Sequence, residues 1–370
     1  MSNMNDYLLL AEKLDLGVPR LSLIGAEGEI SKTWLEYLKV LVDPGDIKYL
    51  LKIPTMPNSV SLKRYAKKIK KTEDEALQVL SRLINSDCVM KVGSRDPKYS
   101  IQMAQLLYNL PTLSYLKYPR EKAQKLAELS TKLFIEEGWH KRYSGSSQTP
   151  FFRVIPVQES LKTEPLVMPY DQIEKLIDDS RYLSLSSCMC RMRTELLGVR
   201  KCKDKYPLET CIGLNQSAKF LIERGLAREI SKEEAKKLSK DLNKMGLVNV
   251  SENYSDGAHL LLCNCCSCCC NILGGILRGD NPRSAAASNF VAIVKNQEDC
   301  EKCGTCAEKC IFNAILMKDD GPEFNKEKCM GCGICVLNCP SSVIELEREE
   351  KEQICKDFVE LGLKVGRETH

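Results

Sequence analysis

Residues 300–340 read CEKCGTCAEKCIFNAILMKDDGPEFNKEKCMGCGICVLNCP, and this stretch decides the fold of the C-terminal part of the chain. It contains eight cysteines in two runs that share the spacing C-x2-C-x2-C-x3-C. The first run is Cys300, Cys303, Cys306 and Cys310, and the second is Cys329, Cys332, Cys335 and Cys339, followed by Pro340. Gaps of two residues allow one tight loop to turn three sulfur atoms toward a common centre. Each run therefore predicts a metal-binding loop.

The spacing suits a cubane iron–sulfur cluster, because each of its four iron corners needs a soft thiolate and one loop delivers only three. Over about fifty residues the segment resembles two-cluster bacterial ferredoxins, in which the last cysteine of each run serves the other cluster. The resemblance implies one cluster bound by Cys300, Cys303, Cys306 and Cys339. It implies a second cluster bound by Cys329, Cys332, Cys335 and Cys310. Ile311 stands where the family usually has proline, which affects the local turn and not the ligand set.

Zinc is the alternative metal for these thiols. A structural zinc ion takes four ligands, usually in two pairs, so eight cysteines in this doubled spacing favour two [4Fe-4S] clusters over zinc. Gly304, Gly331 and Gly333 suit loops in which backbone amides approach inorganic sulfur. Two neighbouring clusters form a short path for electrons, which favours electron transfer over a purely structural role.

A second group of ten cysteines lies between Cys188 and Cys270. Its sparse members, which have the right number for one cluster or one zinc ion, are Cys188, Cys190, Cys202 and Cys211. Its dense members are Cys263, Cys265, Cys266, Cys268, Cys269 and Cys270. Neighbouring side chains diverge on a regular backbone, so the dense run is expected either to form a second site or to complete the first. Residues 214–230 and 231–245 predict helices that fold the dense run back toward the sparse one.

The CxC opening, the single cysteine of the CIGL segment and the CNCCSCCC run resemble a family of iron–sulfur proteins of anaerobes, over residues 170–346. The resemblance implies redox work in anaerobic metabolism without fixing a substrate. An additional iron–sulfur cluster is favoured over zinc for the central cysteines, because the same chain already recruits iron–sulfur assembly, and inert buried thiols are the third alternative. Arg191, Arg193 and Arg200 either raise the reduction potential of this centre or belong to a solvated loop.

The N-terminal part predicts a helix over residues 33–53 that is broken once at Asp43-Pro44-Gly45, a second helix from Ser61 and a third from a Thr72–Glu75 capping box. Two short strands are expected within residues 88–102. This order resembles a winged-helix domain over residues 30–105. Residues 61–71 carry six bases, but the helix that would enter a DNA groove begins with three acids, which would face phosphates. A structural or partner-docking role is therefore favoured over DNA binding.

The bulk composition is that of folded protein, with 370 residues of which 43% are hydrophobic and 28% charged. No apolar run is long enough to span a membrane, and the first residues do not resemble a signal peptide, which predicts a cytoplasmic location. Thiols stay reduced there, so the 20 cysteines are expected to be metal ligands rather than disulfides. The net charge of +4 is too balanced to indicate nucleic acid, but residues 296–345 carry nine acids and five bases.

The predicted fold class is α+β, with a mainly helical central domain. The expected division is a winged-helix-like domain (1–110), a connecting segment (111–170), a cysteine-rich metal-binding domain (171–295), a two-cluster ferredoxin module (296–346) and a C-terminal helix (347–370). The predicted function is electron transfer to or from a redox protein or enzyme partner. The alternatives are an oxidoreductase with an unusual central cluster that reduces a small molecule, and a redox-sensing winged-helix regulator. The sequence leaves the oligomeric state open.

Overall fold

The computed structural model describes residues 4–15, 29–56, 58–93, 96–102, 104–138, 148–161, 168–256, 259–279, 281, 285–349 and 354–368. Helices and several small antiparallel sheets occur along these residues, which confirms the mixed α+β class. The chain divides into two compact units: the first is residues 1–142 with 196–198, and the second begins at residue 143. Among the described residues no helix is long and apolar enough to cross a membrane.

The first unit combines seven α-helices with a small antiparallel sheet among its described residues. The helices are α1 (Met4–Asp15), α2 (Lys32–Leu41), α3 (Ile47–Leu50), α4 (Leu62–Ile69), α5 (Glu73–Asn85), α6 (Ala104–Leu113) and α7 (Arg120–Thr131), with a π-turn over Lys132–Glu136 and a 3-10 turn over Tyr115–Lys117. The strands are β1 (Val60–Ser61), β2 (Val89–Val92) and β3 (Lys98–Ile101), in the order β1-β3-β2. Trp34, Tyr37 and Leu80 are fully buried in its core.

Local signals in the sequence explain these elements. The Thr72 hydroxyl accepts the Glu75 amide hydrogen at 3.2 Å while the Glu75 carboxylate accepts the Thr72 amide hydrogen at 2.9 Å, which forms the predicted capping box of α5. The predicted break near Pro44 separates α2 from α3. The helices and the hairpin thus lie where the sequence placed them, whereas the winged-helix assignment itself stays a prediction.

A six-stranded antiparallel sheet organises the central part of the second unit. Its strands are β4 (Phe152–Ile155), β5 (Leu183–Ser187), β6 (Glu209–Leu214), β7 (Arg228–Glu229), β8 (Val248–Glu252) and β9 (Leu261–Cys265), in the order β4-β8-β9-β6-β5-β7. Five helices accompany it: α8 (Ile173–Asp178), α9 (Met189–Leu196), α10 (Asn215–Glu223), α11 (Lys232–Lys244) and α12 (Asn271–Arg278). Ile177 and Ala235 of α8 and α11 share a core with Ile212 and Leu262 of β6 and β9.

This sheet corrects the expectation of a mainly helical central domain. The helix predicted over residues 214–230 ends at Glu223, because Gly225 adopts a positive φ of 65° and turns the chain into β7. Strand β9 reads LLCNC and lacks the alternation that marks a half-buried strand, whereas β8 reads VNVSE and buries its polar residues together with its valines. The predicted connecting segment 111–170 supplies α7 to the first unit and β4 to this sheet.

The C-terminal part of the second unit is built from two strand pairs and short helices. Its elements are β10 (Phe290–Val294), α13 (Thr305–Lys309), β11 (Ile315–Lys318), β12 (Gly321–Phe324), α14 (Ile334–Leu337), β13 (Ile344–Arg348) and α15 (Phe358–Glu368), and two 3-10 turns, Gln158–Ser160 and Pro169–Asp171, precede α8. β10 pairs with β13 and β11 with β12, both antiparallel. Val154 of β4 shares one core with Val291, Phe312 and Ile334, so the sheet and the C-terminal part are continuous.

Candidate metal centres

Two cavities lie between the two C-terminal cysteine runs. The cysteines that line the first cavity are Cys300, Cys303, Cys306 and Cys339. The cysteines that line the second cavity are Cys310, Cys329, Cys332 and Cys335. The last cysteine of each run therefore lines the cavity of the other run's three-cysteine loop.

The surroundings of both cavities fit thiolate-bound iron–sulfur clusters. The backbone amides of Lys302 and Ala314 point at the sulfur atoms of Cys300 and Cys310, each at 3.4 Å. Such N–H groups stabilise negative charge on thiolate and on inorganic sulfur. The rest of the second cavity is apolar, with Phe312 among its walls. The residues present thus supply soft ligands, hydrogen-bond donors and shielding from water, which are the needs of a [4Fe-4S] cluster.

The two cavities differ in their access to solvent. Cys303 of the first cavity is exposed, and its hydrogen bond with the Thr305 hydroxyl, at 3.3 Å, lowers its pKa. Burial instead raises the pKa of Cys332 in the second cavity to about 12. The first cavity is therefore the one of the two with an exposed cysteine.

Glycine is required at position 331 because a side chain would not fit there, and not because of the backbone conformation. Lys302 holds the equivalent place in the first run, and both residues have positive φ, 61° for Gly331 and 53° for Lys302. A Cβ atom on Gly331 would overlap the carbonyl oxygen of Phe290 in β10. The second loop can therefore pack against β10 only with glycine at this position.

We expect Gly331→Ala to displace the second loop and to lower the iron content by up to about four atoms per chain. Iron and acid-labile sulfide analysis of anaerobically purified protein measures this loss. Gly304→Ala is the matched control, because Gly304 also has a positive φ of 76° but an added Cβ would meet no atom within 4 Å. Equal iron content in the two variants would contradict the packing argument.

The central cysteines form two sets that differ from the sparse and dense groups of the sequence. The first, the four-cysteine set, joins Cys202 to Cys266, Cys268 and Cys269, and its four sulfur atoms all lie within 4.8 Å of one another. Cys202 lies in the turn between α9 and β6, and the other three lie in the turn between β9 and α12. The structure therefore separates Cys202 from the other sparse cysteines.

The remaining thiols, the six-cysteine set, converge on one face of the sheet. Their positions follow from strand register: Ile212 pairs with Leu262, so Cys211 of β6 lies opposite Cys263 of β9. Cys265 lies two residues further along β9, on the same face. The full set is Cys188, Cys190, Cys211, Cys263, Cys265 and Cys270.

Side-chain hydrogen bonds connect this set into a chain of thiols. The successive partners are Cys188, Cys190, Cys270, Cys265, Cys263 and Cys211. Burial raises the pKa of Cys270, but hydrogen bonds from the Cys190 and Cys265 thiols and the Leu273 amide outweigh burial and lower the pKa to about 5. Each of these thiols therefore has a neighbouring thiol within hydrogen-bonding range.

Arg191 lies between the two central sets and is fully buried. Its guanidinium donates to the Asn264 carbonyl oxygen at 2.9 Å and to the Thr210 hydroxyl. It also hydrogen-bonds Cys266 of the four-cysteine set and interacts electrostatically with Cys188 and Cys265 of the six-cysteine set. The sequence raised a solvated loop as the alternative role of the central arginines, and the burial of Arg191 excludes that role for this residue.

Two polar side chains near these sets were not found from the sequence. The Thr194 hydroxyl lies 3.2 Å from the Cys269 sulfur, and Ser186 of β5 lies opposite Cys211 of β6. Thr194 stands four residues after Cys190 on α9, a spacing that places both on one helix face and that was an available signal. His259, in contrast, is the core residue that its apolar context indicates, with Nδ1 2.8 Å from the Ser251 hydroxyl.

Comparison with known proteins identifies only the C-terminal part. A family model described as a 4Fe-4S dicluster domain matches residues 299–344. No curated protein and no solved structure shows significant similarity to the chain. The match covers both cysteine runs and both cavities. Residues 299–344 are therefore a 4Fe-4S dicluster ferredoxin domain, a class of domain associated with iron–sulfur electron transfer.

Proposed function

We propose that this protein carries electrons to or from a redox enzyme partner. We propose that it does so in anaerobic metabolism, in the reducing environment of the cytoplasm. The observation that carries the proposal is the pair of cysteine-lined cavities within a dicluster ferredoxin domain. One cluster would be held by Cys300, Cys303, Cys306 and Cys339. The other would be held by Cys329, Cys332, Cys335 and Cys310. When bound, the clusters supply one-electron transfer without proton chemistry.

The residues around the first cavity determine how a partner would dock. Cys303 is exposed, and the acidic residues Asp299, Glu301, Asp319 and Asp320 are exposed on the same segment of the domain. The ammonium of Lys302 is held at 2.7 Å by the carbonyl oxygen of Asp319. An acidic rim around an accessible thiolate attracts a partner with a basic surface, and long-range attraction of this kind is screened by salt.

We expect electron transfer from the reduced protein to a small basic haem protein, cytochrome c, to slow several-fold as ionic strength rises from about 10 mM to 300 mM. Stopped-flow absorbance under anaerobic conditions measures the second-order rate constant. The double variant Glu301→Gln/Asp320→Asn should react more slowly at low salt and converge with the unmodified protein at high salt. Glu233→Gln, an exposed change on α11, is the control. A rate independent of salt would exclude the docking surface.

The six-cysteine set is proposed as the site of an additional iron–sulfur centre. Six thiols exceed the four that one tetrahedral ion accepts, so they favour a centre with more than one metal. The buried positive charge of Arg191 would raise its reduction potential. Anaerobic metal analysis tests this part of the proposal. Iron near eight per chain would leave the ferredoxin domain as the only iron site, and about twelve or more would support the additional centre.

A further inference from the structure

The four-cysteine set has the dimensions of a site for a single metal ion. The sulfur atoms of Cys202 and Cys269 are 3.7 Å apart, those of Cys266 and Cys268 are 3.8 Å apart, and those of Cys268 and Cys269 are 3.5 Å apart. A zinc–sulfur bond is about 2.3 Å, so a regular tetrahedron around zinc places its sulfur atoms about 3.8 Å from one another. These three distances are close to this value, and the other three are no longer than 4.8 Å.

The ferredoxin domain of the same protein provides the contrast. Its eight cysteines line two cavities, four cysteines in each. A cubane holds its four thiolates on four separate iron corners, so they lie farther apart than sulfur atoms that share one ion. The sulfur atoms of the four-cysteine set all lie within 4.8 Å of one another, which is the closer spacing that a single ion needs.

We propose that Cys202, Cys266, Cys268 and Cys269 bind one Zn²⁺ ion in a closed tetrahedral site that is separate from every iron–sulfur centre of the protein. Four thiolates with no open position are typical of structural zinc. Cys202, Cys266 and Cys269 are buried, and they pack with Leu242 and Leu247 in a small core. The site does not depend on the proposed electron transfer.

Neighbouring groups supply what a tetrathiolate site needs. Four thiolates around one dication leave two negative charges, and the buried Arg191 guanidinium lies against Cys266. The hydroxyl of Thr194 is 3.2 Å from the Cys269 sulfur, within range of an O–H···S hydrogen bond. The ion would cross-link the turn after α9 to the turn after β9, and these turns are more than sixty residues apart in the chain. Its role would be to hold the loops that also carry the six-cysteine set.

X-ray absorption at the zinc edge, on the full chain purified anaerobically from medium containing both iron and zinc, tests the site directly. We expect about one zinc per chain with a shell of four sulfur atoms at about 2.3 Å and no metal neighbour. A metal neighbour in the zinc spectrum, or the absence of stoichiometric zinc, would overturn the proposal. A sulfide-free mononuclear iron in its place would also overturn the assignment to zinc.

The variant Cys202→Ser tests whether Cys202 is a ligand of the zinc ion. It should lower zinc from about one to nearly none per chain while iron and acid-labile sulfide stay unchanged. Cys355→Ser is the matched control, because Cys355 is a buried thiol outside both central sets and the ferredoxin runs, and it should leave all metals unchanged. Loss of iron and sulfide from Cys202→Ser with zinc retained would overturn the proposal. If that variant does not fold, the zinc spectrum of the unmodified chain decides.

Discussion

The double variant Cys310→Ser/Cys332→Ser is expected to lose about four iron atoms per chain, no more than either single variant loses. Both cysteines line the second cavity, so removing the second ligand acts on a cluster that the first change has already destabilised. Cys310→Ser/Cys303→Ser, in contrast, removes one ligand from each cavity and should lose about eight. Iron and sulfide analysis after anaerobic purification measures both losses.

The two double variants can be compared directly because both contain Cys310→Ser and differ only in the second substitution. If each run supplied all four ligands of its own cluster, the results would be reversed, with the larger loss in Cys310→Ser/Cys332→Ser. Cys355→Ser controls for the general effect of replacing a buried thiol. Partial loss in every variant, without the difference between the pairs, would contradict the exchange of ligands between the two runs.

Asp171→Asn is expected to destabilise the second unit by about 3–5 kcal/mol, because it removes the carboxylate partner of a buried guanidinium. The Arg153 guanidinium and the Asp171 carboxylate are 2.9 Å apart, with side-chain exposures of 1% and 0%. The Arg348 guanidinium lies 3.9 Å from the other carboxylate oxygen. The cluster thus joins β4 and β13 to the turn before α8, and Asp171→Asn removes the carboxylate that faces both guanidinium groups.

Replacing both partners would leave no uncompensated charge from this pair. The replacement of a buried ion pair by apolar residues of similar volume is often neutral or stabilising. Arg153→Met/Asp171→Leu should be much closer in stability to the unmodified protein than Asp171→Asn.

The half-life of iron–sulfur absorbance in a fixed concentration of guanidinium chloride measures these changes, because a metal-containing protein does not unfold in two states. Asp241→Asn is the control, since Asp241 forms an exposed ion pair with Lys237 at 2.7 Å. Its half-life should equal that of the unmodified protein. A half-life for Asp171→Asn that matches this control would rule out a structural role for the buried pair.

The C-terminal domain was predictable from the sequence because its ligands are local. Three cysteines of each run lie within seven residues, and a spacing of two residues nearly dictates a loop that turns them inward. The helices α2 to α5 were predictable for the same reason: the capping box of α5 and the break near Pro44 act within a few residues.

In the central region, local sequence patterns did not predict which cysteines lie close together. Cysteine spacing assigned Cys202 to the same group as Cys188, but the tertiary structure places it with Cys266, Cys268 and Cys269. No local rule encodes this choice, because the partners come from turns brought together by the six-stranded sheet. Strands β6 (ETCIGL) and β9 (LLCNC) lack the alternation by which strands are recognised, so the register that sets Cys211 opposite Cys263 was hidden as well.

The sequence by itself determined the kind of chemistry: twenty cysteines, most of them in spaced runs, indicate metal binding, and a doubled ferredoxin spacing indicates iron–sulfur clusters. Only the tertiary structure decided how the central thiols are shared and how far apart their sulfur atoms lie. The reason is physical, since ligand type follows from residue identity, whereas the number of metals in a site depends on distances between sulfur atoms that distant segments of the chain bring together.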